Sequence, residues 1–366
     1  MATRKKSKIT TSQLEVMERA REFLQKKHGK GAVLGMEEID TTIPGYVSTQ
    51  SVAIDRLIGN EGLPQSRVIE VFGPEGSGKS TLSDHVMAEI QRRGGQAYLW
   101  DTENARDYRY LDKLGVVRKR ASRIEADFME SGFAIMQDIL TWHLANAPEV
   151  EGVIVWDTVA GTPTEKEADP DEKNEAFGPA KIIKSELRRL TQVLKKTKWI
   201  LLAVNQEYSS FEGHQSVKKA YGGGGFPYFA AIRMSIVRGK SIYGPGAMSR
   251  ENGGYPIGQE IWIRTVKNKV YPPTRSAQAA ILYGEGIENT FTIYHTLKQA
   301  GMITAAGGWN ALAWPEVEGK FPKWQGGWYA LREMTRQHEG LWEILIKAYA
   351  DLGPDALISR SLGDSE

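Results

Sequence analysis

Eight residues constrain this chain more than any others: Gly73-Pro74-Glu75-Gly76-Ser77-Gly78-Lys79-Ser80, followed by Thr81, fits G-x-x-x-x-G-K-[ST]. The stretch lies between the apolar run VIEVF at 68–72 and a helical pattern that starts at Lys79, the strand–loop–helix setting such a motif requires. Its chemistry explains its spacing. Glycines let backbone N–H groups close around phosphate oxygens, and the helix N-terminus adds partial positive charge. Lys79 is then placed to reach the β and γ phosphates of ATP, and Ser80 to offer its hydroxyl to Mg²⁺. A glycine-rich turn without a ligand is the plain alternative, and the flanking strand and helix argue against it.

Around the motif, strand-like and helical runs alternate. AYLWD at 97–101, VIVWD at 153–157 and ILLAV at 200–204 continue the series of apolar runs. Helical patterns separate them, one from Lys79, one with Phe133, Met136, Leu140 and Leu144, and one with Ile183, Leu187, Leu190 and Leu194. This βαβ rhythm predicts an α/β fold with a mostly parallel central sheet covered on both faces. FAAIRMSIV, EIWIRTVK and AQAAILY then follow without helices, which predicts an antiparallel extension.

Both ends of the chain differ from this middle. From about Ile287 the composition changes: five of the ten tryptophans (Trp309, Trp314, Trp324, Trp328 and Trp342) fall there, so 287–366 is expected to be a small separate α+β domain. Residues 1–40 read as a basic tail, a helix and a linker, leaving 41–286 as the core. In the helix, Ser12 and Glu15 make a capping-box pattern, and Leu14, Met17, Ala20 and Leu24 recur at helical spacing until His28-Gly29-Lys30-Gly31 ends it. Its apolar stripe packs either on the chain's own core or on a neighbouring molecule, and the sequence leaves both open.

Composition narrows the partners. The 366 residues hold 47 Lys+Arg against 45 Asp+Glu, a formal +2, so attraction to a polyanion must come from local patches. No apolar run approaches the ~18 residues of a spanning helix, which predicts no membrane partner. There is no cysteine, which excludes disulfides, thiolate metal sites and thiol catalysis. The first twenty residues lack the apolar stretch of a secretory signal, so the expected location is the cytosol.

A nucleoside triphosphatase also needs a carboxylate behind the metal and a group that orients the attacking water. Asp157 ends VIVWD where the metal carboxylate belongs. An Asp at a strand end also caps turns and helices, but the upstream motif favours the metal role. Glu103, two residues past AYLWD, is the candidate base, against the alternative of a solvated loop acid. Gln206, directly after ILLAVN, could sense the γ phosphate, but its position alone does not assign that role.

The whole set resembles a RecA-type recombinase, from about residue 10 to about 350. GPEGSGKST resembles the family's P-loop, DTENARDYRYLDKLGV the segment with its catalytic Glu and adenine-stacking Tyr, and VIVWDTVAGTP its Walker B strand and first DNA loop. LLAVNQ resembles the strand ending in its sensor Gln, YGGGGFPYFAAIRMSIVRG the exit from its second DNA loop, and VKNK with ILYGEGI its last core strands. The resemblance implies a RecA-type P-loop NTPase core with an N-terminal helix that packs on a neighbour to build a helical filament. It implies Lys79, Ser80 and Thr81 on phosphate and Mg²⁺, Glu103 as base, Asp107 and Tyr110 near adenine, and Asp157 behind the metal. Gln206 would link ATP to the second DNA loop, and Lys267 and Lys269 would reach the ATP of the adjacent subunit.

The DNA loops depart from the family. The first, from Thr162 to about Phe177, is acidic, so phosphate contacts are expected from Lys181, Lys184, Arg188 and Arg189 on the following helix, whose plain alternative is a solvated face. The second, Glu207 to Tyr221, offers Tyr208 and Phe211 for stacking and Lys218 and Lys219 for phosphates, and it leaves through Gly222 and Gly223. The chain ends in Gly363-Asp364-Ser365-Glu366 without the long acidic tail of many bacterial members, for which a phage-encoded origin is one explanation among others.

What the resemblance implies is an ATP- and Mg²⁺-dependent protein that forms filaments on single-stranded DNA and pairs it with homologous double-stranded DNA. Single-strand-binding and loader proteins are the further partners it brings, in the nucleoid or in a phage-infected cytosol. Two other classes remain: a RecA-fold hexameric helicase or repair ATPase, and an assembly module that uses ATP only as a switch.

Overall fold

The computed structural model describes residues 11–35, 43–59, 62–168, 178–212, 215–244 and 254–353, with the side chains at 11–12 and 209–219 outside that description. The chain forms two compact units, residues 1–43 and 44–366. In the first, helix α1 runs Thr11–His28. Lys26, Lys27 and His28 fill its last turn, where positive charge offsets the partial negative charge of the carbonyl end. Gly29, at φ +100°, then takes the left-handed turn that stops it. Leu14, Met17 and Phe23 are exposed, at 50%, 60% and 64%.

In the second unit, strands β1 (Tyr46–Val47) and β2 (Leu63–Pro64) form a short antiparallel pair around helix α2 (Val52–Ile58). The apolar runs then become the middle of one large sheet. β3 (Arg67–Gly73), α3 (Lys79–Arg92), β4 (Gln96–Asp101), α4 (Tyr108–Lys113), β5 (Ala121–Arg123), α5 (Met129–Asn146), β6 (Gly152–Asp157) and α6 (Gly178–Leu194) follow in order. β7 (Trp199–Glu212), β8 (Gln215–Ala220), α7 (Gly225–Phe229), β9 (Ile232–Tyr243), β10 (Pro256–Asn268), β11 (Ser276–Leu282) and β12 (Gly286–Glu288) complete it. The order is β12-β11-β10-β9-β3-β7-β6-β4-β5. From β9 to β5 neighbours are parallel, and from β9 to β12 they are antiparallel, as the runs without intervening helices predict.

Because side chains alternate along a strand, each central strand feeds two cores. Val153 and Val155 of β6, with Ile200 and Leu202 of β7, join Leu82, Val86 and Met87 of α3. Ile154, Trp156, Leu201 and Ala203 face the other way, onto Phe133 and Leu140 of α5 and Ile183, Leu187 and Leu190 of α6. Trp100 stacks on Trp156 with ring centres 5.1 Å apart, and a Cβ on Gly132 would lie 2.0 Å from the Trp100 ring, so α5 approaches this closely only because position 132 has no side chain.

One expectation is corrected here. The polar stretch 207–221 reads as a loop, but its backbone continues β7 and returns as β8, pairing Glu207 with Ala220, Tyr208 with Lys219 and Phe211 with Ser216. A hairpin ladder is a backbone bond pattern and needs no apolar run to form. The last part of the chain holds α8 (Asn289–Gln299), β13 (Ile303–Ala306), β14 (Trp309–Leu312), β15 (Trp324–Gln325), α9 (Trp328–Gln337) and α10 (Leu341–Asp351). It has its own apolar cluster, including Leu297, Leu331, Leu341 and Leu345, with Trp314, Trp328 and Trp342 packed on it. Val52 of α2 packs there too, and the Arg56 guanidinium donates to Tyr349 O and lies 3.8 Å from the Tyr349 ring centre.

Candidate nucleotide and DNA site

The glycine motif, both candidate acids and Gln206 all come from the carboxyl ends of parallel strands, where open α/β sheets hold their ligands. Register brings them together: Gly73 pairs with Gln206, and Asp101 with Asp157. They surround a cleft of about 730 Å³ lined by Gly76 to Thr81, Glu103, Asp107, Tyr110 and Asp157. Pro74 and Glu75 form the outer turn of the loop, with Glu75 exposed.

The loop's conformation depends on its glycines, with φ +151° at Gly73, +67° at Gly76 and +95° at Gly78. A Cβ on Gly78 would sit 2.2 Å from Ile281 Cδ1, whereas one on Gly76 meets nothing within 4 Å. Lys79 Nζ donates to Gly73 O at 2.9 Å and Pro74 O at 2.7 Å. Burial pulls its ammonium below the ordinary lysine value, while Asp157 and Glu103 oppose that shift. Ser77 Oγ is buried without a hydrogen-bond partner among the described residues. A buried lysine, an orphaned hydroxyl and an open glycine-lined turn fit a polyphosphate.

Ser80 Oγ donates to Asp157 Oδ2 at 2.7 Å, placing two hard oxygen ligands side by side. Among the described residues no cluster of three or more His, Cys, Asp or Glu forms a cation site. A metal that keeps waters and takes most of its protein contact through one or two oxygens plus substrate phosphates suits such a pair, and Mg²⁺ is that metal.

Glu103 is held next to Asp157 by two threonines. Thr102 N donates to Asp157 O at 2.8 Å, and Thr102 and Thr158 exchange bonds through Thr102 Oγ1, both at 3.0 Å. The Asp157–Thr158 peptide is cis. Burial, then the nearby Asp157 charge, raises the Glu103 carboxyl above the ordinary glutamate value, and a bond from Gln206 Nε2 to Glu103 Oε1 at 2.9 Å works against the rise. A carboxylate moved up in this way is a better proton acceptor at neutral pH.

Asp107 caps α4, accepting from Arg109 N at 2.9 Å, and the Tyr110 hydroxyl lies 3.4 Å from Thr81 Oγ1. Lys267 and Lys269 do not line this cleft. Lys267 Nζ instead donates to Pro227 O at 2.6 Å and Tyr228 O at 3.2 Å, both carbonyls of α7.

Several groups that line the cleft were not singled out by sequence, among them Gln259, Tyr283, Arg106 and Asp84. Gln259 Nε2 donates to Gly76 O at 2.7 Å and its Oε1 accepts from Tyr283 OH at 3.2 Å, so the antiparallel extension braces the glycine loop. Arg106 and Asp84 line the cleft with Asp157, and Arg106 Nη2 lies 2.5 Å from Asp157 Oδ2. Ser80 and Asp84 are four apart on α3, a helix-face spacing that was legible, whereas nothing in the order of residues pairs either with Arg106.

The candidate DNA face is built from α6 and the hairpin root. Ile183, Leu187 and Leu190 are buried while Lys181, Lys184 and Arg188 are exposed, three and four residues apart on one face. Arg189 pairs with Glu186 at 3.0 Å. Gly222 and Gly223 have φ +88° and +60°, and a Cβ on them would come within 2.7 Å of Ile183 and 2.9 Å of Ala180. The exit of the hairpin therefore rests on α6. Tyr208 is 45% exposed. The side chains of Phe211, Lys218 and Lys219, and residues 169–177 of the first loop, lie outside the described residues.

The family model for the RecA N-terminal domain matches residues 15–288, most of the chain. The chain belongs to the RecA family. Protein RecA of Limosilactobacillus reuteri (strain DSM 20016) is 32% identical over 342 residues, covering 92% of this chain and 88% of the relative. Protein RecA of Latilactobacillus sakei subsp. sakei is 31% identical over 291 residues, 78% and 77% of the two chains. Protein RecA of Aquifex pyrophilus is 30% identical over 307 residues, 83% and 84%. The α/β architecture, with its large mixed sheet and a separate antiparallel sheet near the C-terminus, agrees with membership of this family of recombinases. Among the described residues no helix is long and apolar enough to cross a membrane.

Proposed function

We propose that this chain is a DNA-dependent ATPase that assembles as a filament on single-stranded DNA and exchanges it with a homologous duplex. The observation that carries this reading is the placement of Gln206: it pairs in register with Gly73 of the glycine loop, bonds Glu103, and starts the β7–β8 hairpin. A single residue thus joins a nucleotide site to a hairpin of polar sequence.

In this reading Lys79 and the glycine-loop amides hold the β and γ phosphates, with Tyr110 and Asp107 toward the base. Mg²⁺, held through Ser80 and Asp157, would neutralise charge that builds on the phosphates. Glu103 accepts a proton from the attacking water as the bond to the γ phosphorus forms and the bond to the ADP oxygen breaks. Gln206 gives up its bond to Glu103 when it engages the γ phosphate, which shifts the hairpin root. Lys181, Lys184, Arg188, Lys218 and Lys219 hold DNA backbone, and Tyr208 and Phe211 stack on bases, so sequence is read by base pairing and not by the protein.

Lys267 and Lys269 complete the neighbour's site, and the exposed apolar side chains of α1 dock on an adjacent subunit. The division at about residues 40 and 286 follows that use, with the tryptophan-rich part as a separate domain, and the cytosol as the place of action. ATP turnover with and without single-stranded DNA tests the reading. Stimulation by DNA is expected; turnover indifferent to DNA would contradict it.

A further inference from the structure

Arg106 lines the same cleft beside Asp157 and has no part in the phosphate binding or water activation proposed for that cleft. Its side chain is 6% exposed. Nη1 contacts Asp84 Oδ1, and Nη2 lies 2.5 Å from Asp157 Oδ2 and 2.9 Å from Ser83 Oγ. Asp157 Oδ2 is the same oxygen that accepts from Ser80. Asp84 is itself 4% exposed in its side chain, so the guanidinium bridges two carboxylates that are both nearly out of water.

Arg106 is also fixed from its own backbone. The Asp101 carboxylate accepts from the backbone N–H groups of Ala105 and Arg106, closing the loop that carries Glu103. A planar fork anchored at both ends leaves the Asp157 carboxylate little freedom to turn away from Ser80. Buried charges are retained where they are paired, and removing one partner leaves the other uncompensated.

We infer that Arg106 is a positioning residue for the metal: held by Asp84, it locks Asp157 onto Ser80 and so lowers the Mg²⁺ concentration at which the site binds nucleotide. This rests on the reading of Ser80 and Asp157 as the metal side. A role confined to neutralising Asp84 is the competing account, and the two separate in a charge-balanced variant. Arg106→Met with Asp84→Asn removes the cation and the acid it neutralises together, leaving no unpaired Asp84, yet it frees Asp157.

The test is binding of methylanthraniloyl-ADP by fluorescence, first in EDTA and then over a MgCl₂ series, with thermal unfolding as the check on folding. The double variant is expected to match wild type in EDTA and to need about tenfold more Mg²⁺ for half the Mg²⁺-dependent gain, as losses of outer-sphere partners usually do. An unchanged or lower half-saturating Mg²⁺ overturns the inference. If the double variant does not fold, Arg106→Lys carries the test. It keeps the charge, but one ammonium does not reproduce the fork between the two acids. A shift of the same sign is expected, and wild-type Mg²⁺ dependence in that variant overturns the inference. A wild-type protein whose nucleotide affinity ignores Mg²⁺ would instead contradict the metal side itself.

Discussion

Gln206 Nε2 donates to Glu103 Oε1 at 2.9 Å, so the residue at the root of the β7–β8 hairpin and the acid at the end of β4 share one hydrogen bond. Below it, Asn205 Nδ2 donates to Glu70 Oε1 and to Tyr221 O, both at 2.8 Å. Asn205 and Tyr221, which flank the hairpin, are thereby tied to one buried carboxylate, which Arg233 pairs from β9. A change at Gln206 has a short, packed route to the segment read as the DNA contact.

Replacing Glu103 by Gln keeps the shape and a hydrogen bond but removes the base. Steady-state hydrolysis is expected to fall by roughly 10²-fold or more, with ATP-dependent assembly on DNA retained by sedimentation. Near-normal turnover would remove Glu103 from this role. Lys79→Ala is expected to lose nucleotide binding and assembly together.

The interface reading of Lys267 and Lys269 makes a different prediction. With both changed to Ala, a protomer should still bind nucleotide weakly but lose DNA-stimulated hydrolysis and cooperative assembly. The bonds from Lys267 to Pro227 O and Tyr228 O give the plain alternative, a lysine that only caps α7. In that case thermal stability would fall while stimulation by DNA survives.

His85 supplies a pH test within the fold. It is buried, with Nδ1 2.8 Å from Gln50 Oε1 and Nε2 accepting from Ile287 N at 3.0 Å, and burial lowers its pKa from 6.5 to about 4. Between those values the unfolded chain binds a proton at His85 that the folded chain does not, so the stability His85 contributes falls as pH drops from 6.5 toward 4 and changes no further below that. The loss is about 3 kcal/mol at most. Denaturant unfolding across this range should show a shallower acid decline in His85→Gln; parallel curves would contradict the account.

Much of this was legible because parallel strands are buried on both faces and read as apolar runs. The ends of VIEVF, AYLWD and VIVWD gave the positions of Gly73, Glu103 and Asp157 to within a residue or two. The hairpin from Glu207 to Ala220 was not legible, since its polar composition fits a loop as well as a ladder. Arg106 was missed for another reason: its partners Asp84 and Asp157 are brought together only by the packing of α3 against the ends of β4 and β6. The link from Arg56 to Tyr349 likewise joins the two ends of this unit across 293 positions, beyond any local pattern.

Salt dependence separates stacking from charge in the DNA face. Phe211→Ala should weaken single-stranded DNA binding by about 1–3 kcal/mol with little change in slope. Lys218→Ala with Lys219→Ala should flatten log K against log salt by roughly 0.7 per lost contact. Titrations with an ATP analogue present decide it, and two variants that match wild type in both respects would move the contact elsewhere.

Strand exchange between a circular single strand and a homologous linear duplex, followed on a gel with and without ATP, tests the central claim most directly. Joint molecules and then nicked circles are expected only with ATP, Mg²⁺ and homology. Unwinding of the duplex without pairing, or no joint molecules under conditions where the protein hydrolyses ATP on DNA, would contradict it.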